Sequence, residues 1–245
     1  MVAYQPEKIH RIMLKLSGEY LAGEKGYGFD DDIIDVLTDE IIELKKLGFS
    51  IAIVLGGGNI FRGGTWKNKK LDRVVLDNIG MMATIQNALY LAEILNKKNF
   101  PAEVYSALSM DKVTDFYTPQ RAQKALQEGK ICFLCGGTGN PYFTTDTAAI
   151  LRAVELELDV VLKGTKVDGL YSADPKKDPN AEFIVSASYA ECLQRQLGVM
   201  DMTAFSLAQD HRIPIKVFNI GKRGNLKDAV LRADIGTFIH PEARQ

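Results

Sequence analysis

Ile51-Ala52-Ile53-Val54-Leu55-Gly56-Gly57-Gly58, followed by Asn59, is a short apolar run that stops at three consecutive glycines. A run of that length, rich in Ile and Val, predicts a parallel strand buried on both faces. The glycines strip every side chain from the turn, so a bulky anion can approach bare backbone N–H groups. A purely structural turn rarely needs more than one. The pattern recurs: Ile131–Cys135 (ICFLC) leads into Gly136-Gly137-Thr138-Gly139-Asn140, and Ile12–Leu16 (IMLKL) into Ser17-Gly18. Three strands opening onto glycine predict a sheet edge shaped to hold phosphate.

Outward from these strands, helix and strand signals alternate. Asp30 is placed to cap a helix whose apolar positions Ile33, Ile34, Leu37, Ile41, Leu44 and Leu47 keep a 3.6-residue period up to Gly48. A helical stretch is predicted over 71–98, a strand over Ala102–Ser106, and a helix opening at Thr118-Pro119 and closing at Gly129. Thr144 or Thr145 would cap a helix over 146–158, followed by a strand over Val160–Lys163. A long loop over 164–180, two helical stretches and strands at Ile215–Asn219 and Thr237–His240 complete the chain. This alternation predicts an α/β fold, a mainly parallel sheet covered on both faces, with ligands held outside the carboxyl ends of its strands. No internal repeat or low-complexity linker divides the 245 residues. We expect one domain over 1–245, with a soft lobe boundary near 150–180 and a different ligand on each side.

Thirty Lys and Arg against 31 Asp and Glu give no global basic field that would advertise nucleic acid. No apolar run approaches the ~18–20 residues of a membrane span, and the opening MVAYQPEKIHR has no apolar signal core. A soluble cytoplasmic protein is expected. Cys132 and Cys135 form a C-x-x-C, yet inside a strand residues i and i+3 face opposite ways, which suits neither metal ligation nor a redox pair. With Cys192 they read as buried structural thiols.

The phosphate loop fits no common nucleotide motif. Gly58-Asn-Ile-Phe-Arg-Gly63-Gly64-Thr65 has G-x4-G spacing, but Gly64 stands where a Walker lysine should be. The G-x-G-x-x-G fingerprint fails too. The missing cation must come from elsewhere, and Lys15 is the leading candidate. A lysine inside an apolar strand is costly unless an anion awaits it, the alternative being a lysine snorkelling from an edge strand. Arg62, four residues past the glycines, is a second cation with a surface reading as its alternative. Asp146 could equally be a first-turn acid favoured by the helix dipole, and Asp77 a solvated helix acid.

Val161–Pro175 (VLKGTKVDGLYSADP) is the most specific local signal. It resembles the nucleotide-binding signature of the amino acid kinase superfamily, which includes acetylglutamate, carbamate, aspartate and glutamate-5 kinases. Lys15-Leu16-Ser17-Gly18-Glu19, Gly56-Gly57-Gly58-Asn59, Phe61-Arg62-Gly63, Gly137-Thr138-Gly139-Asn140-Pro141, Phe143-Thr144-Thr145-Asp146 and Val199-Met200-Asp201 narrow the resemblance to the bacterial uridylate (UMP) kinases of that superfamily. It runs in register from about residue 10 to 240. The resemblance implies a three-layer αβα sandwich and phosphoryl transfer from ATP to UMP, giving UDP in pyrimidine nucleotide biosynthesis, with Mg²⁺ accompanying ATP. By position it assigns Lys15, Leu16, Ser17, Gly18, Gly58, Arg62, Thr165, Tyr171 and Asp174 to ATP, with Lys163 a further phosphate contact. It assigns Gly57, Asp77, Thr138, Gly139, Asn140, Pro141, Tyr142, Phe143, Thr144 and Thr145 to UMP, with Asp146 adjoining. The N-terminal part, about 1–150, would then bind UMP and the C-terminal part, about 151–245, ATP, which Lys15–Gly18, Gly58 and Arg62 would reach from the first part.

Lys15, Arg62 and Asp201 are the expected transition-state residues, Asp201 orienting a lysine or the metal. Gly23-Glu24-Lys25-Gly26-Tyr27-Gly28 resembles a segment linked to GTP activation, and can equally be a glycine-rich surface loop. The resemblance also implies a homohexamer with UTP as a feedback inhibitor.

That chemistry suits the residues. A phosphate monoester with its second pKa near about 6 is already a nucleophile at neutral pH, so no general base is required. The task is to bring two polyanions together, and Lys15 and Arg62 would offset their repulsion while glycine N–H groups bind non-bridging oxygens. An Asp77 carboxylate accepting both ribose hydroxyls would select a nucleotide. Two other readings remain: a related kinase acting on a carboxylate or carbamate, and a non-catalytic nucleotide or oxoanion binder.

Overall fold

The computed structural model describes residues 4–62, 71–173, 178, 180–198 and 200–241. Asp174, Gly63, Gly64 and Val199, named above, lie outside the described residues. In chain order the elements are β1 (Arg11–Leu16), α1 (Gly18–Leu21), α2 (Asp31–Lys46), β2 (Ser50–Leu55), α3 (Arg73–Lys97), β3 (Ala102–Ser106), β4 (Asp115–Phe116), α4 (Pro119–Gln127), β5 (Ile131–Cys135) and α5 (Thr145–Glu155). Then follow β6 (Val160–Thr165), β7 (Leu170–Tyr171), β8 (Phe183–Ile184), β9 (Ser186–Ser188), α6 (Tyr189–Gln194), α7 (Met202–Asp210), β10 (Ile215–Asn219), α8 (Asn225–Leu231) and β11 (Thr237–His240).

Nine strands form one sheet in the order β4-β3-β5-β2-β1-β6-β10-β11-β9. Every pairing is parallel except β10 with β11. The side-chain alternation of the strands sorts the core into two layers. Ile12, Leu14, Leu16, Ile51, Ile53 and Leu55 pack with Leu37 and Ile41 of α2, Leu91 of α3 and Leu226 of α8. Met13, Ala52, Val54, Val161 and Val217 pack with Ala122 of α4, Ile150 of α5 and Ala204 of α7. The three-layer sandwich is therefore as the sequence implied. Cys135 sits in the first layer and Cys132 in the second, so the C-x-x-C is split by the sheet. Burial pushes both thiols up to about 12, which leaves them inert.

Helix starts follow the cap chemistry. Asp30, Thr118 and Thr144 each accept backbone N–H bonds at the openings of α2, α4 and α5. The predicted loop over 164–180 is less plain than the sequence suggested. β6 runs on through Gly164 and Thr165 because these pair with Phe218 and Asn219 of β10. Leu170–Tyr171 also forms a small antiparallel ladder with β8.

Candidate functional site

The carboxyl ends of β5, β2, β1 and β6 lie side by side, so the glycine turns after β5, β2 and β1 form one edge. Gly18 and the Gly56–Gly58 turn touch so closely that a β-carbon on Gly18 would fall 2.4 Å from the Gly56 carbonyl oxygen. Each carbonyl of the turn has a partner in the protein. Gly56 O accepts from Asn87 Nδ2 at 2.7 Å, Gly57 O from the Phe61 amide at 2.9 Å, and Gly58 O from Arg62 Nε at 3.0 Å. The N–H groups of Gly57 and Gly58 find no acceptor among the described residues. Unoccupied donors beside occupied acceptors are the polarity that an anion requires.

The cations come from neighbouring strands. Lys15 on β1 and Lys163 on β6 are register partners, on the α5 face of the sheet. Lys15 is only 8% exposed. Asp146, in the first turn of α5, bridges them: its Oδ1 lies 2.6 Å from Lys15 Nζ and its Oδ2 2.6 Å from Lys163 Nζ. Two cations and one carboxylate leave this buried trio at +1. Burial works against the charged form of Asp146, yet the two lysines outweigh it and hold the carboxyl below its ordinary value. Lys163 is shifted down, first by burial and then by Lys15, with Asp146 opposing both. A charged group arriving at this edge therefore meets a positive site assembled without a Walker lysine. Asp146, read from sequence as a neighbour of the acceptor, is the carboxylate that spaces the two lysines.

A cavity opens beside the glycine turn. Gly57, Gly58 and Phe61 form one wall, Leu76, Asp77, Gly80, Met81 and Thr84 of α3 a second, and Gly137, Asn140, Phe143, Thr144 and Thr145 a third. Six of the ten positions assigned to the acceptor by resemblance thus line it: Gly57, Asp77, Asn140, Phe143, Thr144 and Thr145. Gly139 and Pro141 belong to the same turn without lining the cavity. Asp77 Oδ2 accepts from the Tyr142 amide at 2.8 Å, which pins the loop to α3. Tyr142 has φ 73° and stacks its ring against the Arg73 guanidinium at 4.7 Å. Thr138 exchanges bonds with the Asn140 backbone, so its hydroxyl serves the turn. The α3 stripe 76, 77, 80, 81, 84 was visible in the sequence as helical spacing, although only Asp77 drew notice.

Asp201, expected to orient a lysine or the metal, lies between α5 and α7. It caps α7 through the Ala204 amide at 3.0 Å and accepts from the hydroxyls of Thr144 and Thr147. Its charge is felt at Lys163, but its hydrogen bonds hold the opening turn of α5. Arg62 pairs with Glu19 at 3.4 Å, a partner that the sequence reading missed.

On the other side of β1 the edge continues toward β10. Ser17 caps α1, while the Leu16 side chain is sealed in the core and its carbonyl accepts from Gly56. A second cavity is lined by Glu19, Tyr20, Gly23, Glu24, Lys166, Asn219, Gly221 and Lys222 among others. Next to it, Tyr171 lines a third with Asp168, Phe183 and Lys222, its ring edge-on to Phe183 at 5.3 Å. The Thr165 hydroxyl donates to Val167 O at 2.8 Å. Gly23–Lys25 forms one 3-10 turn; Gly26 and Gly28 have φ 70° and 71°, and Tyr27 is largely exposed. The segment thus borders the second cavity through Gly23 and Glu24.

Residues 10–219 match the model of the amino acid kinase family. A uridylate kinase of Stutzerimonas stutzeri is 49% identical over 94% of this chain and 93% of its own length. A solved UMP kinase from Bacillus anthracis superposes with TM-score 0.92 at 35% identity, covering 95% of this chain and 96% of that one. One from Ureaplasma parvum gives 0.91 at 38%, covering 95% and 99%.

Proposed function

The chain belongs to the amino acid kinase family, within its uridylate kinase branch, and from that premise we propose that it transfers the γ-phosphoryl group of ATP to UMP, giving UDP and ADP. The observation that carries the reading is the Lys15–Asp146–Lys163 trio beside a glycine turn whose carbonyls are all occupied by the protein's own donors. Such an edge stabilises charge on a phosphoryl group in transit and needs no general base. UMP occupies the cavity between the Gly57 turn, α3 and the α5 opening, with Asp77 toward the ribose and the Thr144–Thr145 amides toward the phosphate. ATP lies across the ends of β1, β6 and β10, its phosphates toward Lys15, Gly18 and Gly58 and its base toward Tyr171. On this placement UMP lies on 1–150, while ATP is shared between Lys15, Gly18 and Gly58 of that part and Lys163, Thr165 and Tyr171 of 151–245. Arg62, released from Glu19, turns to the transferring group.

Mg²⁺ accompanies ATP and, when bound, neutralises phosphate charge. Among the described residues no group of three or more His, Cys, Asp or Glu is placed to hold a metal ion; on this reading the ion arrives with the nucleotide. No helix among those residues is long and apolar enough to cross a membrane, in keeping with action in the cytoplasm. We extend the reading to a homohexamer, with UTP as a feedback inhibitor and GTP acting through Gly23–Gly28, by kinship alone. The test of the core claim is an ATP-dependent acceptor panel of UMP, CMP, acetylglutamate and carbamate. UMP should be turned over far faster than the rest; equal turnover of CMP, or preference for either carboxylate-type acceptor, would overturn it.

A further inference from the structure

Asn59 and Asn87 are among the most buried polar side chains of the described residues, 1% and 0% exposed. Asn59 follows the glycine turn; Asn87 lies in the middle of α3. Their amides face one another and exchange two bonds, Asn59 Nδ2 to Asn87 Oδ1 at 2.9 Å and Asn87 Nδ2 to Asn59 Oδ1 at 2.7 Å. Each nitrogen has one proton left, and each gives it to a backbone carbonyl: Asn87 to Gly56 at 2.7 Å, Asn59 to Gly28 at 2.9 Å. Gly28 replies by donating its own amide to Asn59 O at 2.9 Å. All four amide protons are thus satisfied in a dry site. Turning either amide over would set oxygen against oxygen, so the arrangement has one orientation.

Burying two primary amides at the centre of a core costs free energy that two apolar side chains would not. What the pair gains is control of the glycine turn. Gly56 is held from one side by its amide to Leu16 O at 2.8 Å and from the other by Asn87. Its carbonyl is thereby kept out of the phosphate edge. We infer that Asn59 and Asn87 are positioning residues. They lock the Gly56–Gly58 turn with the Gly56 carbonyl held away from the phosphate edge and join it to α3 and to the Gly28 end of the Gly23–Gly28 loop as one unit. The inference rests on the proposed phosphoryl transfer only for its kinetic consequence.

Asn87→Asp keeps an acceptor for Asn59 but presents a second oxygen to Gly56 O; Asn87→Ala removes all three side-chain bonds and leaves a small space. Each folded variant should lose about 10- to 100-fold in kcat while KM for UMP changes by less than about threefold, because misalignment of two phosphates costs the transition state more than the ground state. A purely structural pair would lower the thermal midpoint and leave kcat per folded molecule unchanged, and that result would overturn the inference. Hydrogen exchange read on wild type and Asn87→Ala, independently of any activity, should show faster exchange at the Gly56 and Gly28 amides; unchanged protection at both would also overturn it. Wild-type enzyme inactive on UMP would sink the proposed function and leave the exchange test standing.

Discussion

At the residue scale, the account turns on charge held in the wrong place for stability. Lys15 and Lys163 are paired across adjacent strands and depend on one carboxylate. Lys15→Met would leave Asp146 a one-to-one pair with Lys163 and remove the lysine–lysine repulsion. We expect kcat to fall by about 10²- to 10³-fold with no drop in thermal midpoint, checked by steady-state kinetics and calorimetry on the same preparation. Asp146→Asn does the reverse and leaves two cations facing each other, so both kcat and the midpoint should fall. The acid dependence has a definite sign. The folded-state pKa of Asp146 is depressed, so its stabilisation is present above the ordinary carboxylate value and lost as pH falls through the folded value. Asp146→Asn should flatten that acid limb in a pH series of melting curves.

At the scale of elements, the α5 opening couples structure to binding. Thr144 caps the helix through the Asp146 and Thr147 amides and donates to Asp201, which itself caps α7. Thr144→Ala should cost about 1 kcal/mol of stability and raise KM for UMP, as seen by denaturant titration and initial rates. Elements whose signals are local were legible from sequence. β3, β5 and β11 fall where apolar runs and their punctuation put them, and Asp30, Thr118 and Thr144 begin helices as cap chemistry requires. β6 was read two residues short, because Gly164 and Thr165 are strand through long-range pairing, Gly164 with β1 and β10 and Thr165 with β10. β7 and β8 form a ladder of their own, tied to β11 of the main sheet by the Thr237 hydroxyl between Leu170 and Ile184, and nothing in their two-residue stretches announces it. The site shows the same division. Glycine turns and Lys15 stand out in the chain, whereas Glu19 and Asn87 are ordinary helical polar residues until folding sets them against Arg62 and Gly56. Asp201 is expected to orient a lysine or the metal, and its hydrogen bonds to Thr144 and Thr147 of α5 have no local signal in the sequence.

At the scale of the whole molecule, Lys216 joins distant parts of the chain. Fully buried on β10, it donates to the Arg232 carbonyl and lies 3.6 Å from the Tyr4 ring centroid, while Tyr4 bonds the Ala229 and Val230 carbonyls. The N-terminal segment, β10 and the end of α8 are thus closed together. Burial lowers the Lys216 pKa from 10.5 to about 7, with Asp234 opposing. Between those values the unfolded chain binds the extra proton, so stability should rise with pH across that window. Melting curves from pH 7 to 10 should show the rise, and Lys216→Met should remove most of it.

The central claim is that the edge formed by β5, β2, β1 and β6 passes a phosphoryl group from ATP to UMP without a base or a Walker lysine. ³¹P NMR of ATP, Mg²⁺ and UMP mixed with the protein tests it most directly. The account predicts that the γ-phosphate signal of ATP decays as the β-phosphate signal of UDP grows, with equal ADP and little inorganic phosphate. Release of the γ-phosphate to water, or no change with UMP present, would contradict it.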